Sequence, residues 1–317
     1  MNDVAALGEL LIDFTFAGNS DSGMRLFEQN PGGAPANVLT ALSRLGLKTA
    51  FIGKVGDDMH GHFLKNVLEQ NHIGTGSLVI DKDFFTTLAF VSISEKGERS
   101  FSFARKPGAD TMLKKEEIPE KLIRESKIFH IGSLSLTNEP SKTATLYALD
   151  IAKRAGCLIS YDPNYRAPLW KSRQAAIEGM RSVLRYVDVI KISDEETDLL
   201  TSEKDPELAG KYLIDHGVKA AFITLGKNGA YVVNKDGCDY QPAIPSKAAD
   251  TTGAGDAFCS GVLYRICTEG KKIEDFSLSR LSDFARFGNA VASLCVERRG
   301  GIPAMPVLQE VYERLNS

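Results

Sequence analysis

Apolar, β-rich runs alternate with amphipathic helical stretches along most of this chain, and that alternation commits it to an α/β architecture: parallel strands in a doubly wound sheet, helices on both faces. VAALGELLIDF reads as the opening strand. The segment from Pro35 to Leu45 reads as a helix, because proline is tolerated in a first turn, apolar residues follow at helical spacing, and Gly46 stands just past the end. TAFIGKVG is the next strand. The rhythm continues through IFHIGSL, a helix from about Glu139 to Ala155, CLISYDPN, a further helix, DVIKIS, another helix and AAFITLG. Each strand ends in polar or glycine residues. Open α/β sheets bind ligands at the carboxyl ends of their strands, so chemistry is sought in those tails.

One region breaks the rhythm. Thr86 to Arg105 alternates as two strands joined at EKGE, which predicts an antiparallel hairpin. With the polar, glycine-containing stretch Ala17 to Asn30 it is expected to form a small β lid, drawn from roughly residues 14–30 and 84–108, over one edge of the main domain. No linker, low-complexity tract or internal repeat divides the sequence, so one domain over 1–317 is expected.

Composition narrows the partners. A length of 317 residues with 43% hydrophobic content supports a large core. The 38 basic and 41 acidic residues nearly balance, at net charge −3, which leaves no electrostatic footprint for nucleic acid or an anionic membrane and favours small molecules. Five scattered cysteines, none spaced as CxxC, argue against a disulfide frame or a zinc knuckle. The first residues, MNDVAALGEL, carry acids where a secretory leader carries bases, and no stretch has the length of a membrane span, so a cytoplasmic protein is expected.

The segment richest in chemistry is Asp250-Thr-Thr-Gly-Ala-Gly-Asp-Ala-Phe258, followed by an amphipathic run. Gly253 and Gly255 permit a tight loop whose backbone amides, with Ala254 between them, converge on one point. The helix beginning there adds its positive end, making an anion hole suited to a phosphoryl group in transfer. Asp256 could reach a hydroxyl beside that phosphate and act as general base. In isolation the same Asp reads as a helix N-cap and the glycines as turn formers. No GxxxxGK[ST] occurs, and the third glycine of a dinucleotide fingerprint is missing, so neither a P-loop enzyme nor a Rossmann dehydrogenase is indicated.

DTTGAGDAF resembles the second signature of the PfkB, or ribokinase-like, carbohydrate kinases, and the resemblance runs in order over essentially the whole chain. Gly32-Gly-Ala-Pro-Ala-Asn37-Val is similar to the family's first signature, which implies that Gly32 and Gly33 let backbone approach the sugar and that Asn37 binds its hydroxyls. Asp13 matches the family's sugar-binding carboxylate, and Arg105 falls where relatives place an arginine against the sugar. YDPNYRAPLW, with Asp162, Asn164 and Arg166 facing the site, looks particularly like fructokinases.

The resemblance also implies ATP with Mg²⁺. Lys191-Ile-Ser-Asp-Glu-Glu196 occupies the place of the family's N-x-x-E motif, with Ser193 standing in for Asn and Glu196 organising water around Mg²⁺. Either Glu196 or Glu195 suits that role from sequence alone. Thr224, Gly226 and Gly229 resemble the nucleotide loop, and Asn289 matches a position lining the adenine pocket. A monovalent-cation site for K⁺ is implied at Asp250, Thr252 and the carbonyls of Cys295, Arg298, Gly300 and Ala304. The function implied is phosphorylation of a sugar, D-fructose to fructose 6-phosphate, with ribose and 2-keto-3-deoxygluconate as alternative acceptors and a non-catalytic sensor as a rival class. A homodimer through the lid is the expected assembly.

Overall fold

In chain order the strands are β1 (Asn2–Leu7), β2 (Leu11–Asn19), β3 (Arg25–Gly32), β4 (Thr49–Gly56), β5 (Ile73–Asp81), β6 (Leu88–Ile93), β7 (Arg99–Ala104), β8 (Ser126–Ile131), β9 (Leu158–Tyr161), β10 (Val189–Ser193), β11 (Ala220–Thr224), β12 (Gly229–Asn234) and β13 (Gly237–Pro242). They come from a computed structural model that describes residues 2–93 and 99–316. The EKGE turn expected at 95–98 lies outside the described residues.

Nine strands form one sheet in the order β13-β12-β11-β10-β9-β8-β1-β4-β5. Neighbours from β11 to β5 run parallel, while β12 and β13 close one edge antiparallel. The parallel strands read as continuous apolar runs because both faces are covered. Along β1, Val4 and Ala6 enter one core with the helices Ala34–Arg44, Ala254–Glu269 and Leu278–Cys295, while Ala5 and Leu7 enter a second core on the opposite face. The expected doubly wound sheet is therefore observed. From β1 the chain winds outward to β4 and β5, then returns to build β8, β9 and β10 on the other side. The reversal opens a crevice at the carboxyl ends of β1 and β8.

The opening segment departs from expectation. VAALGELLIDF is not one strand: β1 stops at Leu7, and β2 begins at Leu11 in a different sheet. Backbone packing forces the break. A Cβ on Gly8 would lie 2.5 Å from Pro35 Cγ, and the amide of Ala34 is bonded to Glu9 Oε1 at 2.9 Å, so the turn is pinned to the start of the next helix. The helix expected from Glu139 begins at Ser141, since the residue before Pro140 is sterically kept from helical geometry.

The second sheet has the order β3-β2-β6-β7. β2 pairs with β3 antiparallel and with β6 parallel, and β6 with β7 antiparallel. Strand periodicity gives it two unlike faces. Phe14, Phe16, Phe27 and Phe90 meet in stacked and edge contacts on one, while Asp13, Thr15 and Asn30 occupy the other. Among the described residues no helix is long and apolar enough to cross a membrane.

The helix Ala254–Glu269 is fixed by a close crossing with Leu278–Cys295, where a Cβ on Gly261 would lie 2.7 Å from Gly288 Cα. Gly261→Val is expected to destabilise the protein by about 1–3 kcal/mol through overpacking, read as a lower urea midpoint. An unchanged midpoint would contradict this crossing.

Candidate active site

The helix Ala254–Glu269 starts at Gly253, whose φ of 79° is left-handed and suits glycine. Gly255 has a different reason to lack a side chain: a Cβ there would lie 2.6 Å from Lys191 Nζ. The two glycines expected to shape one loop thus serve separate needs, one conformational and one steric. Ala254 N donates to Thr251 O at 3.3 Å, and the first intrahelical bond is Ala257 N to Gly253 O at 2.8 Å. The amides of Gly255 and Asp256 precede that bond and belong to the helix's positive end.

Asp256 is not an N-cap. It lies inside the first turn, is 6% exposed, and its Oδ2 accepts a 2.8 Å hydrogen bond from Asn37 Nδ2. Burial pushes its carboxyl up to about 7; the charge of Asp162 adds to this, while the Asn37 bond, Lys191 and Arg166 oppose it. A carboxylate that gains and loses its proton near neutrality suits a general base. Asn37, expected to bind sugar hydroxyls, is thus engaged with Asp256. Its amide packs against Gly301, where a Cβ would lie 2.6 Å from Asn37 Oδ1.

Asp13 leaves β2 on the polar face of the small sheet, beside Gly32. A Cβ on Gly32 would meet Asp13 Oδ2 at 2.4 Å, so this glycine makes room for a carboxylate as well as for a ligand. At Gly33, φ is 118° and a Cβ would strike the carbonyl of Glu9 at 2.4 Å. Burial pushes Asp13 up to about 6, opposed by Arg166. Arg166 is exposed, and its charge lies within electrostatic reach of both Asp13 and Asp256. Asn164 turns the chain there with φ 47°.

Arg105 has other commitments than the expected sugar contact. Its guanidinium is buried and donates to Asp110 Oδ2 (2.8 Å), Thr137 Oγ1 (2.9 Å) and Leu134 O (3.0 Å). With four carbons of reach spent inward, it fastens the end of β7 to the main domain.

At the end of β10, Glu196 is buried and Glu195 exposed. Glu196 Oε2 accepts from Ser193 N (2.8 Å) and Ser193 Oγ (3.0 Å), and Oε1 from Tyr165 N (2.6 Å). The serine in place of asparagine thus anchors the carboxylate. Lys191 Nζ lies 3.0 Å from Asp162 Oδ2, both groups being buried.

The nucleotide-loop residues divide. Thr224 Oγ1 donates to Ile192 O at 3.3 Å and Gly226 is exposed with φ 55°. Gly229 is buried against the Gln241 carbonyl, which a Cβ would approach to 2.1 Å, so β-sheet closure accounts for it. Asn289 Nδ2 donates to Pro242 O at 2.9 Å and holds the end of β13. Asp250 Oδ1 accepts from Thr252 N (3.0 Å) and Oγ1 (2.8 Å), and Oδ2 from Gly300 N (3.0 Å). That carboxylate ties the 295–300 loop to the loop before the helix. Cys295 O accepts from Arg298 N at 3.1 Å, and Ala304 closes a short turn from Ile302.

Sequence reasoning missed Glu9, a buried carboxyl pushed up to about 7 by burial, whose Oε1 holds the Ala34 amide. The signal was the Gly8-Glu9 pair inside an otherwise apolar run. A Cβ on Gly132 would lie 4.0 Å from Glu9 Oε2 and 3.6 Å from Asp162 O, showing how closely the ends of β1, β8 and β9 converge.

The model of the pfkB family carbohydrate kinases matches residues 1–308. This chain belongs to that family. It is a carbohydrate kinase, 41% identical over 322 residues to the Arabidopsis thaliana protein named probable fructokinase-5, covering 99% of this chain and 97% of that one. The Xylella fastidiosa fructokinase with bound ATP superposes with a TM-score of 0.91 at 30% identity, covering 100% of this kinase and 99% of that chain. A double mutant of the Vibrio cholerae O395 fructokinase, with fructose, ADP and potassium ion bound, gives 0.89 at 30% identity, covering 99% and 98%.

For Asp256 to act as a base it must be ionised, so with its carboxyl raised to about 7 that role predicts that kcat/KM of the kinase falls as pH drops through about 7. Asn37→Ala removes a bond that favours the ionised form and should move this acid limb upward by on the order of one pH unit. A limb that stays in place in the variant would disconnect Asn37 from the titration.

Proposed function

We propose that this kinase transfers the γ-phosphoryl group of ATP to D-fructose, giving fructose 6-phosphate. The observation that carries the reading is the buried Asp256 carboxylate, held by Asn37 at the first turn of a helix whose first amides would serve as the anion hole. The names of the relatives, fructokinases over the full length, support fructose as acceptor. In this reading Asp13 and Asn37 bind sugar hydroxyls. Asp256 takes the proton of the attacking sugar hydroxyl while the hydroxyl oxygen bonds to phosphorus and the bond to ADP breaks. Positioning and electrostatic stabilisation supply most of the rate, as phosphoryl transfer requires.

Mg²⁺, when bound, would neutralise phosphate charge. Three of the roughly four acceptor sites of Glu196 are taken by Ser193 and Tyr165, so the donor set suits a water-mediated contact with the metal rather than a chelate. The oxygens of Asp250 and Thr252 and the carbonyls of Cys295, Arg298, Gly300 and Ala304 are of the hard type a K⁺ ion takes. Five free cysteines suit a reducing, cytoplasmic setting. We assign the aromatic face of the lid, with Phe16 37% and Phe27 40% exposed, to contact with a second copy of the chain. Phe27→Asp should then sediment as a monomer; a dimer in the variant would remove that face from the contact.

Release of ADP across a panel of free sugars tests the acceptor, with fructose expected to turn over fastest. Turnover of ribose or 2-keto-3-deoxygluconate with fructose inert would overturn the choice. Asp256→Asn should lower kcat by on the order of 10² to 10⁴ with sugar affinity retained. Undiminished turnover would remove its role as base.

A further inference from the structure

The helix Ala34–Arg44, which carries Asn37, has no side-chain cap of its own. A helix start is ordinarily held by Ser, Thr, Asp or Asn, whose side chain takes one of the first free amides. Here that position is Gly33, and a side chain is excluded: φ is 118°, and a Cβ would lie 2.4 Å from the carbonyl oxygen of Glu9. The acceptor comes instead from 25 residues away, where Glu9 Oε1 takes a 2.9 Å hydrogen bond from Ala34 N. Glu9 is 2% exposed, and its Oε2 has no hydrogen-bond partner among the described residues. A buried carboxyl with one oxygen unsatisfied is costly, so filling space does not explain it. Two charged groups lie within electrostatic reach, Asp110 and Arg105, and they are bonded to each other, which leaves the charge of Glu9 without a partner there. The contact belongs to a wider clamp. A Cβ on Gly8 would lie 2.5 Å from Pro35 Cγ, so the turn at Gly8 and Glu9 is pressed along residues 33–35. From there a path of hydrogen bonds leads to the base: Asn37 N donates to Gly33 O at 2.9 Å, and Asn37 Nδ2 donates to Asp256 Oδ2 at 2.8 Å.

Resting on the assignment of sugar phosphorylation to this site, we propose that Glu9 is a positioning residue: it sets the start of this helix and, through it, the placement of Asn37 beside the sugar and Asp256. Glu9 takes no part in the bonds that form and break. What the helix start requires of it is reach and an acceptor oxygen, not a charge. An aspartate is one carbon shorter and draws the oxygen back from Ala34 N, whereas a glutamine keeps both the length and the carbonyl oxygen. Without that acceptor Ala34 N is left buried and unpaired, a cost the chain relieves only by moving residues 33–37.

The test is steady-state kinetics, with fructose and ATP varied in turn, on wild type, Glu9→Ala, Glu9→Asp, Glu9→Gln, Asn37→Ala and the double variant Glu9→Ala/Asn37→Ala. Glu9→Ala and Glu9→Asp are expected to raise the fructose KM about tenfold or more and to leave the ATP KM within about threefold of wild type. Glu9→Gln is expected to keep both within about threefold. Because the effect runs through Asn37, the double variant should show a fructose KM within about threefold of that of Asn37→Ala alone. A Glu9 that only stabilises the fold would instead lower the amount of active enzyme, seen as a reduced kcat with both KM values unchanged, and that result overturns the proposal. So does Glu9→Gln as impaired as Glu9→Ala, or Glu9→Asp equal to wild type, since either makes charge the requirement. A double variant about tenfold or more worse than Asn37→Ala also overturns it, by showing a route that bypasses Asn37. Should Glu9→Ala fail to fold, Glu9→Asp takes its place, alone and combined with Asn37→Ala. The wild-type measurement separates the two levels: fructose inert while another sugar is phosphorylated rejects fructose only, and the same variants are then compared on that sugar.

Discussion

A buried carboxylate cannot keep its charge unless neighbouring groups hold it, and this site is arranged around that demand. Asp256 sits beneath the first turn of its helix with Asn37 donating to it and Lys191 close by, opposed by the field of Asp162. The balance leaves it titrating near neutrality, where a base both accepts a proton and releases it. Each supporting group arrives from a different element: Asn37 from the helix after β3, Lys191 from β10, Asp162 from the end of β9. The doubly wound sheet matters because it brings those carboxyl ends to one crevice.

The second sheet completes the enclosure from the opposite side. Its polar face carries Asp13, whose carboxyl needs the empty space at Gly32. Its link to the body is equally specific, through Arg105 with Asp110, Thr137 and Leu134 at one end and the Glu9 bond to the Ala34 amide at the other.

Much of this was legible in the chain. The alternation of apolar runs and amphipathic stretches announced the sheet and its two helical layers, since strands covered on both sides must be apolar throughout. The GAGD string marked a helix start that can hold an anion. Less legible were the jobs of single residues. Arg105 and Gly229 both fit a ligand-contact reading by position, yet one is spent on an internal carboxylate and the other on the carbonyl of Gln241. Nothing in local sequence distinguishes a side chain that faces a ligand from one that faces its own protein.

Local rules by themselves determined the fold class and the hairpin of the small sheet, because periodicity and turn chemistry depend on residues near one another in the chain. Tertiary structure alone decided that VAALGELLIDF is split between two sheets, that Gly255 is small for the sake of Lys191, and that Glu196 rather than Glu195 is the buried acid. Those outcomes depend on atoms brought together from distant positions, 219 residues apart for Asn37 and Asp256, and only packing fixes such distances.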